Sequence, residues 1–141
     1  MKITIAADHA GIKFKADVIK HLKKKKNTVK DLGPFNEDSV DYPDYAKAVA
    51  KAVASKKSKY GILICGSGIG MSMAANKVKG IRAALVYDIY SAQMSRLHND
   101  ANIICIGSRT MTAKNAVKLI DKWLATAFEG GRHLKRVKKI G

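Results

Sequence analysis

Acidic residues are scarce in this chain of 141 residues: 11 Asp and Glu stand against 27 Lys and Arg, a formal net charge of +16. A balance this basic raises the possibility of a nucleic-acid partner. Aromatic residues are also few, 6% of the chain, and none interleave with the basic runs Lys20 to Lys26, Lys51 to Lys59 and Arg132 to Lys139. The stacking surfaces that hold unpaired bases are therefore missing, and the lysines read as solvated helix faces and ends. A basic nucleic-acid-binding α/β module rests on charge alone. No apolar run approaches the roughly 20 residues of a membrane-spanning helix. The start, Met1-Lys-Ile-Thr-Ile-Ala-Ala-Asp8, reads as a strand rather than a leader, so a cytoplasmic location is expected. The cysteines are only two, Cys65 and Cys105, too few and too far apart for a disulfide framework or a cysteine zinc site. Cys105, inside Ile103-Ile-Cys-Ile106, reads as core packing. With no linker, repeat or low-complexity tract, residues 1–141 are expected to form one domain.

What is present is alternation. Strand-like runs at Lys2–Ala7, Thr28–Asp31, Tyr60–Cys65, Ala83–Val86 and Ile103–Ile106 alternate with helical patterns at about Gly11–Lys25, Tyr45–Ala54, Gly68–Asn76, Ser91–His98 and Ala113–Ala127. A last basic helix begins near Arg132, after Gly130-Gly131. Continuous apolar strands suit a sheet buried on both faces. The fold class is α/β: a three-layer α/β/α sandwich with a five-stranded parallel, Rossmann-like sheet. The stretch Leu32 to Asp44, with Gly33-Pro34 and Tyr42-Pro43, is expected to be an irregular loop.

The third strand ends in Cys65-Gly-Ser67-Gly-Ile-Gly70, a thiol running into a glycine-rich turn. Spaced glycines let backbone N–H groups approach a ligand, and the following helix points its positive end at the same place. The pattern is neither GxGxxG nor GxxxxGK[ST], so nucleotide binding gains little support. The loop is either an anion site or a tight turn. In open parallel sheets, ligands sit outside the carboxyl ends of the strands, so Asp8-His9, Cys65 with its loop, and Gly107-Ser-Arg109 belong on one rim. Counting residues puts His98-Asn99-Asp100 near the opposite rim. Taken singly, Asp8 could cap the first helix, Ser67 could be a helix N-cap, Tyr42 could pack beneath the loop, and His98 could be an exposed helix end.

The order of these pieces resembles the RpiB/LacAB family of sugar-phosphate isomerases. The matching segments are Ala7-Asp8-His9-Ala10-Gly11, Asp41-Tyr42-Pro43, Cys65 to Gly70, Ala74-Ala-Asn-Lys77, Gly80-Ile-Arg82, Ser91-Ala-Gln93, His98-Asn99-Asp100, Gly107-Ser-Arg109 and Phe128-Glu-Gly-Gly-Arg-His133. They span nearly the whole chain in family order. The resemblance implies interconversion of ribose 5-phosphate and ribulose 5-phosphate, a step of the non-oxidative pentose phosphate pathway, without a metal or organic cofactor.

It further implies that Cys65 removes the C2 proton, and that Ser67 with the backbone of Gly66, Gly68, Ile69 and Gly70 holds the enediolate oxygen. A free thiol is a poor base at neutral pH unless a helix end or cations favour the thiolate, and this loop leads into such a helix end. The family often has threonine where Ser67 stands; serine keeps the hydroxyl. His98 is implied as the acid that opens the sugar ring, assisted by Asp8, and Asn99 as a sugar ligand. Arg109, Arg132 and Arg136, with His9 nearby, are implied for the phosphate, to which arginine offers a planar fork of donors. The family's site lies at a dimer interface to which the C-terminal helix, about 132–140, contributes; at least a homodimer is expected, with a tetramer as the larger assembly. A hexose phosphate, allose 6-phosphate or galactose 6-phosphate, is the alternative substrate. The galactose 6-phosphate enzymes pair two different subunits that tend to lack parts of this set, whereas one chain here carries all of it.

Overall fold

The computed structural model describes Met1–Gly141. Five strands, β1 (Lys2–Ala7), β2 (Thr28–Asp31), β3 (Tyr60–Cys65), β4 (Ala83–Leu85) and β5 (Ile103–Gly107), form one sheet in the order β2-β1-β3-β5-β4. All four pairings are parallel. The central strands β3 and β5 are buried throughout, while the edge strands β2 and β4 are only part-buried. Alternation divides their side chains between two cores. Ile3, Ile5, Ile62, Ile64, Ile104 and Ile106 meet α1 (Ile12–Lys24), α4 (Ile89–Leu97) and α5 (Ala113–Ala125). Ala6, Leu63, Cys65, Ile103 and Cys105 meet α2 (Tyr42–Ala54) and α3 (Ile69–Ala75). The last helix, α6, is Arg132–Ile140.

The strands fall where the apolar runs place them, and the differences are local. Tyr42 and Pro43 belong to α2 rather than to the preceding loop. Proline needs no intrahelical partner for its missing N–H in a first turn, so it opens the helix instead of breaking it. The α3 N-cap is Gly68, with φ +77, in place of Ser67. Helix α4 begins at Ile89, ahead of Ser91, because Asp88 and Ser91 cap one another reciprocally: the Asp88 carboxylate accepts the Ser91 N–H at 2.7 Å, and Ser91 Oγ accepts the Asp88 N–H at 3.2 Å. The Ser91 N–H first, and then its hydroxyl, hold the Asp88 carboxyl below the usual carboxylate range. The cap is therefore present above the ordinary carboxylate pKa and is lost as pH falls through the lowered one. Helix α5 stops at Ala125, where Thr126 turns extended at ψ 120.

The chain leaves β1 toward β2 on one side and returns to β3 on the other. Loops after β1 and β3 thus diverge, opening a crevice at the carboxyl ends of these two strands. Asp8 and Cys65 stand at its two sides. No helix is long and apolar enough to cross a membrane.

Candidate active site

At the end of β3, Cys65 Sγ accepts the Gly68 N–H at 3.1 Å. Gly68 takes a positive φ of +77, which glycine adopts without strain. A Cβ there would lie 2.7 Å from Leu85 Cδ1 and 3.0 Å from the Ile106 carbonyl carbon. Gly68→Ala is therefore expected to cost about 1–3 kcal/mol, seen as a lower urea midpoint. Gly130→Ala, also at positive φ but with open space around it, should cost less. Ser67 Oγ accepts the Ile69 N–H at 3.2 Å, a local turn that leaves its hydroxyl proton free. The N–H groups of Gly66, Ser67 and Gly70 find no acceptor in the chain. The Tyr42 ring lies over Gly70, where a Cβ would come within 2.5–2.7 Å of its phenol.

Strands β1 and β5 bring their ends to the same place. The Asp8 N–H donates to Ile64 O at 2.9 Å, and the Ser108 and Arg109 N–H groups donate to Cys65 O and Gly66 O at 2.8 and 3.0 Å. Asp8 Oδ1 caps the short 3-10 turn His9–Gly11, accepting from Ala10 and Gly11 at 3.1 and 3.0 Å; Oδ2 carries no hydrogen bond. His9 Nδ1 accepts the Val40 N–H at 3.1 Å, so the neutral ring presents Nε2–H outward. The Arg109 side chain lies across Gly66, whose missing Cβ would be 3.3 Å from its Cδ and Nη1.

The remaining predicted residues gather elsewhere. His98 caps the carboxyl end of α4, and Asn99 and Asp100 follow it beside the start of β4, where their carbonyls accept Arg82 Nε at 3.0 and 3.1 Å. The His98 ring stacks on His133 of α6, centroids 4.1 Å apart and planes 14° apart. Arg132 and Arg136 lie on the same helix, with Arg136 Nη1 donating to Arg132 O at 3.0 Å. The register runs from Gly61↔Ile103 to Cys65↔Gly107, so this second cluster is separated from the first by most of the sheet, about 13 Å at 3.3 Å per residue. One chain therefore carries two groups of predicted residues at opposite rims. The first holds Asp8, His9, Cys65, Ser67, the glycine loop and Arg109; the second holds His98, Asn99, Arg132 and Arg136.

The arginines divide in a telling way. Arg82 and Arg96 pair with Asp100 at 3.2 and 2.8 Å, and buried Arg96 also binds Tyr60 Oη, Thr126 O and Ala101 O. No carboxylate lies within ion-pair reach of Arg109, Arg132 or Arg136. These three are free to meet an anion. Cys105, fully buried, has its thiol pushed up by burial, with the neighbouring Cys65 adding to the effect, as a packing residue would. Glu129 and His133 join the second cluster without having been singled out: Glu129 Oε2 is 3.0 Å from His133 Nε2 and 3.9 Å from His98 Nε2.

A sequence model of the ribose/galactose isomerases matches residues 3–140. The chain belongs to this family. A probable ribose-5-phosphate isomerase B of Mycoplasma pneumoniae is 50% identical over 139 residues, 98% of this chain and 91% of that protein. Among solved structures, the isomerase family's Clostridium thermocellum ribose-5-phosphate isomerase B superposes with a TM-score of 0.98 at 50% identity, covering 100% of this chain and 95% of that one. The Mycoplasma genitalium ribose-5-phosphate isomerase B, solved with bound ribulose-5-phosphate, superposes at 0.94 with 46% identity, over 99% and 93%.

Proposed function

We propose that this member of the ribose/galactose isomerase family interconverts D-ribose 5-phosphate and D-ribulose 5-phosphate, and that each active centre is assembled from the Cys65 rim of one copy and the His98 rim of another. The observation that carries this reading is the complementarity of the two clusters. One has the thiol, the Asp8 carboxylate and the free backbone donors but a single unpaired arginine. The other has the stacked imidazoles of His98 and His133, Glu129 and two unpaired arginines, but no thiol and no glycine loop. Apolar surface flanks the first: Ile69 and Met73 of α3 and Tyr87, Ile89 and Tyr90 beside it are exposed, the kind of patch that marks an interface. Full-length similarity to ribose-5-phosphate isomerases, one of them binding ribulose-5-phosphate, supports the choice of substrate.

In this arrangement the closed sugar receives a proton from His98 on its ring oxygen as the C1–oxygen bond breaks, while the C1 hydroxyl proton passes to Asp8. Cys65, as thiolate, then takes the C2 proton. The electron pair moves onto the C1 oxygen, giving an enediolate held by the free N–H groups of the glycine loop and the Ser67 hydroxyl. Return of the proton to C1, with the C2 hydroxyl proton moving to the C1 oxygen, completes the ketose. Phosphate is bound by His9 Nε2–H, Arg109 and the Arg132 and Arg136 of the second copy, with Asn99 of that copy on the sugar.

The test is turnover of ribose 5-phosphate by the chelator-treated protein, beside allose 6-phosphate. Turnover that survives chelator and favours the pentose supports the reading. Preference for the hexose would reassign the substrate, since one extra carbon is discriminated by only about 1–3 kcal/mol in a tolerant pocket. No turnover of either would overturn it.

A further inference from the structure

We infer that Glu129 is a positioning residue for ring opening, acting through His133 to hold the His98 ring; this rests on the acid role proposed for His98. The Glu129 N–H donates to Leu97 O at 3.0 Å, fixing this residue against the chain immediately before His98. Gly130 and Gly131, at φ +71 and +52, then turn the backbone so that α6 returns His133 beneath the Glu129 carboxylate. His133 Nε2 lies 3.0 Å from Oε2, an imidazole–carboxylate contact that orients a ring only 8% exposed. That ring covers one face of His98. The His98 side chain is 35% exposed, and none of its ring nitrogens makes a hydrogen bond within the chain, so the stack is what limits its rotation.

The charged groups around the stack leave this task to Glu129. From α6, the Arg132 Nε–H donates to His133 Nε2 at a long 3.5 Å; from the turn after α4, Asp100 is occupied by Arg82 and Arg96. The three side chains are close enough to resemble a metal site, but their geometry is wrong for one. An ion must lie near the plane of each imidazole about 2 Å from its nitrogen, and two planes 14° apart with centroids separated by 4.1 Å meet far beyond that. The trio instead forms a chain of orientation, carboxylate to imidazole to imidazole. Proton transfer to the ring oxygen depends on such placement, since a displacement of about 1 Å can cost on the order of 10²-fold.

The experiment uses two assays on the full-length protein. Turnover of ribose 5-phosphate requires ring opening; deuterium wash-in from solvent at C1 of ribulose 5-phosphate, an open-chain ketose, requires only enolisation. Glu129→Ala is expected to lower kcat for ribose 5-phosphate about tenfold with KM within about twofold, and to leave wash-in near wild type. Glu129→Gln keeps an oxygen acceptor and should restore most of the turnover. Should Glu129→Ala fail to fold, His133→Phe, which keeps a stacking ring but loses the contact with Glu129, carries the same test. Equal loss in both assays, or no loss in either, would overturn the inference. His98→Asn is measured in parallel: if it too leaves ribose 5-phosphate turnover intact, the acid role of His98 falls, and with it the ground for this one. A selective loss in His98→Asn without one in Glu129→Ala overturns the positioning role alone.

Discussion

Cys65→Ala is expected to abolish exchange of the C2 proton of ribose 5-phosphate with solvent, lowering kcat by about 10²–10⁴-fold, while affinity for the sugar phosphate stays within a few-fold. The reasoning is geometric. Cys65 ends β3 at the crevice between β1 and β3, its sulfur faces the Gly68 N–H at 3.1 Å, and no imidazole of the same rim except His9 could substitute for it. His9 is engaged through Nδ1 by Val40 and presents a donor, not an acceptor. The proposed phosphate ligands are other side chains, so binding should survive. Cys105→Ala provides the contrast: this thiol is fully buried in the same core, and its loss should reduce stability without reducing exchange. Unchanged exchange in Cys65→Ala would remove Cys65 from the base role, and a parallel loss in both variants would show that the effect comes from packing.

Much of this arrangement was legible in the residues. Strands buried on both faces announce themselves as unbroken apolar runs, which is why Tyr60–Cys65 and Ile103–Ile106 could be placed within a residue of their observed ends. The rim shared by Asp8, Cys65 and Arg109 followed from parallel topology alone, and counting along α4 already put His98 at the far rim. Sequence does not disclose which charges find partners. Arg82 and Arg96 look like Arg109 until the turn at Asp100, with φ +47, folds its carboxylate between the first two. Glu129 and His133 stand four apart, a spacing that pairs side chains on a helix, yet α6 begins only at Arg132. Their contact depends on the Gly130-Gly131 turn, which a helical pattern cannot reveal. The α3 cap falls one residue past Ser67 and α2 starts three residues before the expected Tyr45, for reasons of backbone angle: the helix start needed φ +77, open to Gly68, and a proline fits a first turn as well as a loop.

The proposed sharing of one active centre between two copies has the sharpest consequence. Cys65→Ala and His98→Asn should each be inactive toward ribose 5-phosphate when purified alone. Co-expressed in equal amounts, they are expected to recover about a quarter of wild-type activity, because about half of randomly paired dimers are hybrids and each hybrid carries one intact site of two. In the proposed arrangement, the intact site of the hybrid takes Cys65 from one chain and His98 from the other. The converse mixture reads the same geometry in the opposite sense. Wild type paired with the double variant Cys65→Ala/His98→Asn should form hybrids with no intact site, so activity should fall to about a quarter rather than to the half expected if each chain worked alone. Recovery in the first mixture and excess loss in the second can arise together only if both rims serve one centre across an interface. Failure of the first mixture, with hybrids verified, would mean that His98 reaches Cys65 within its own chain, a path that the intervening length of β5 argues against.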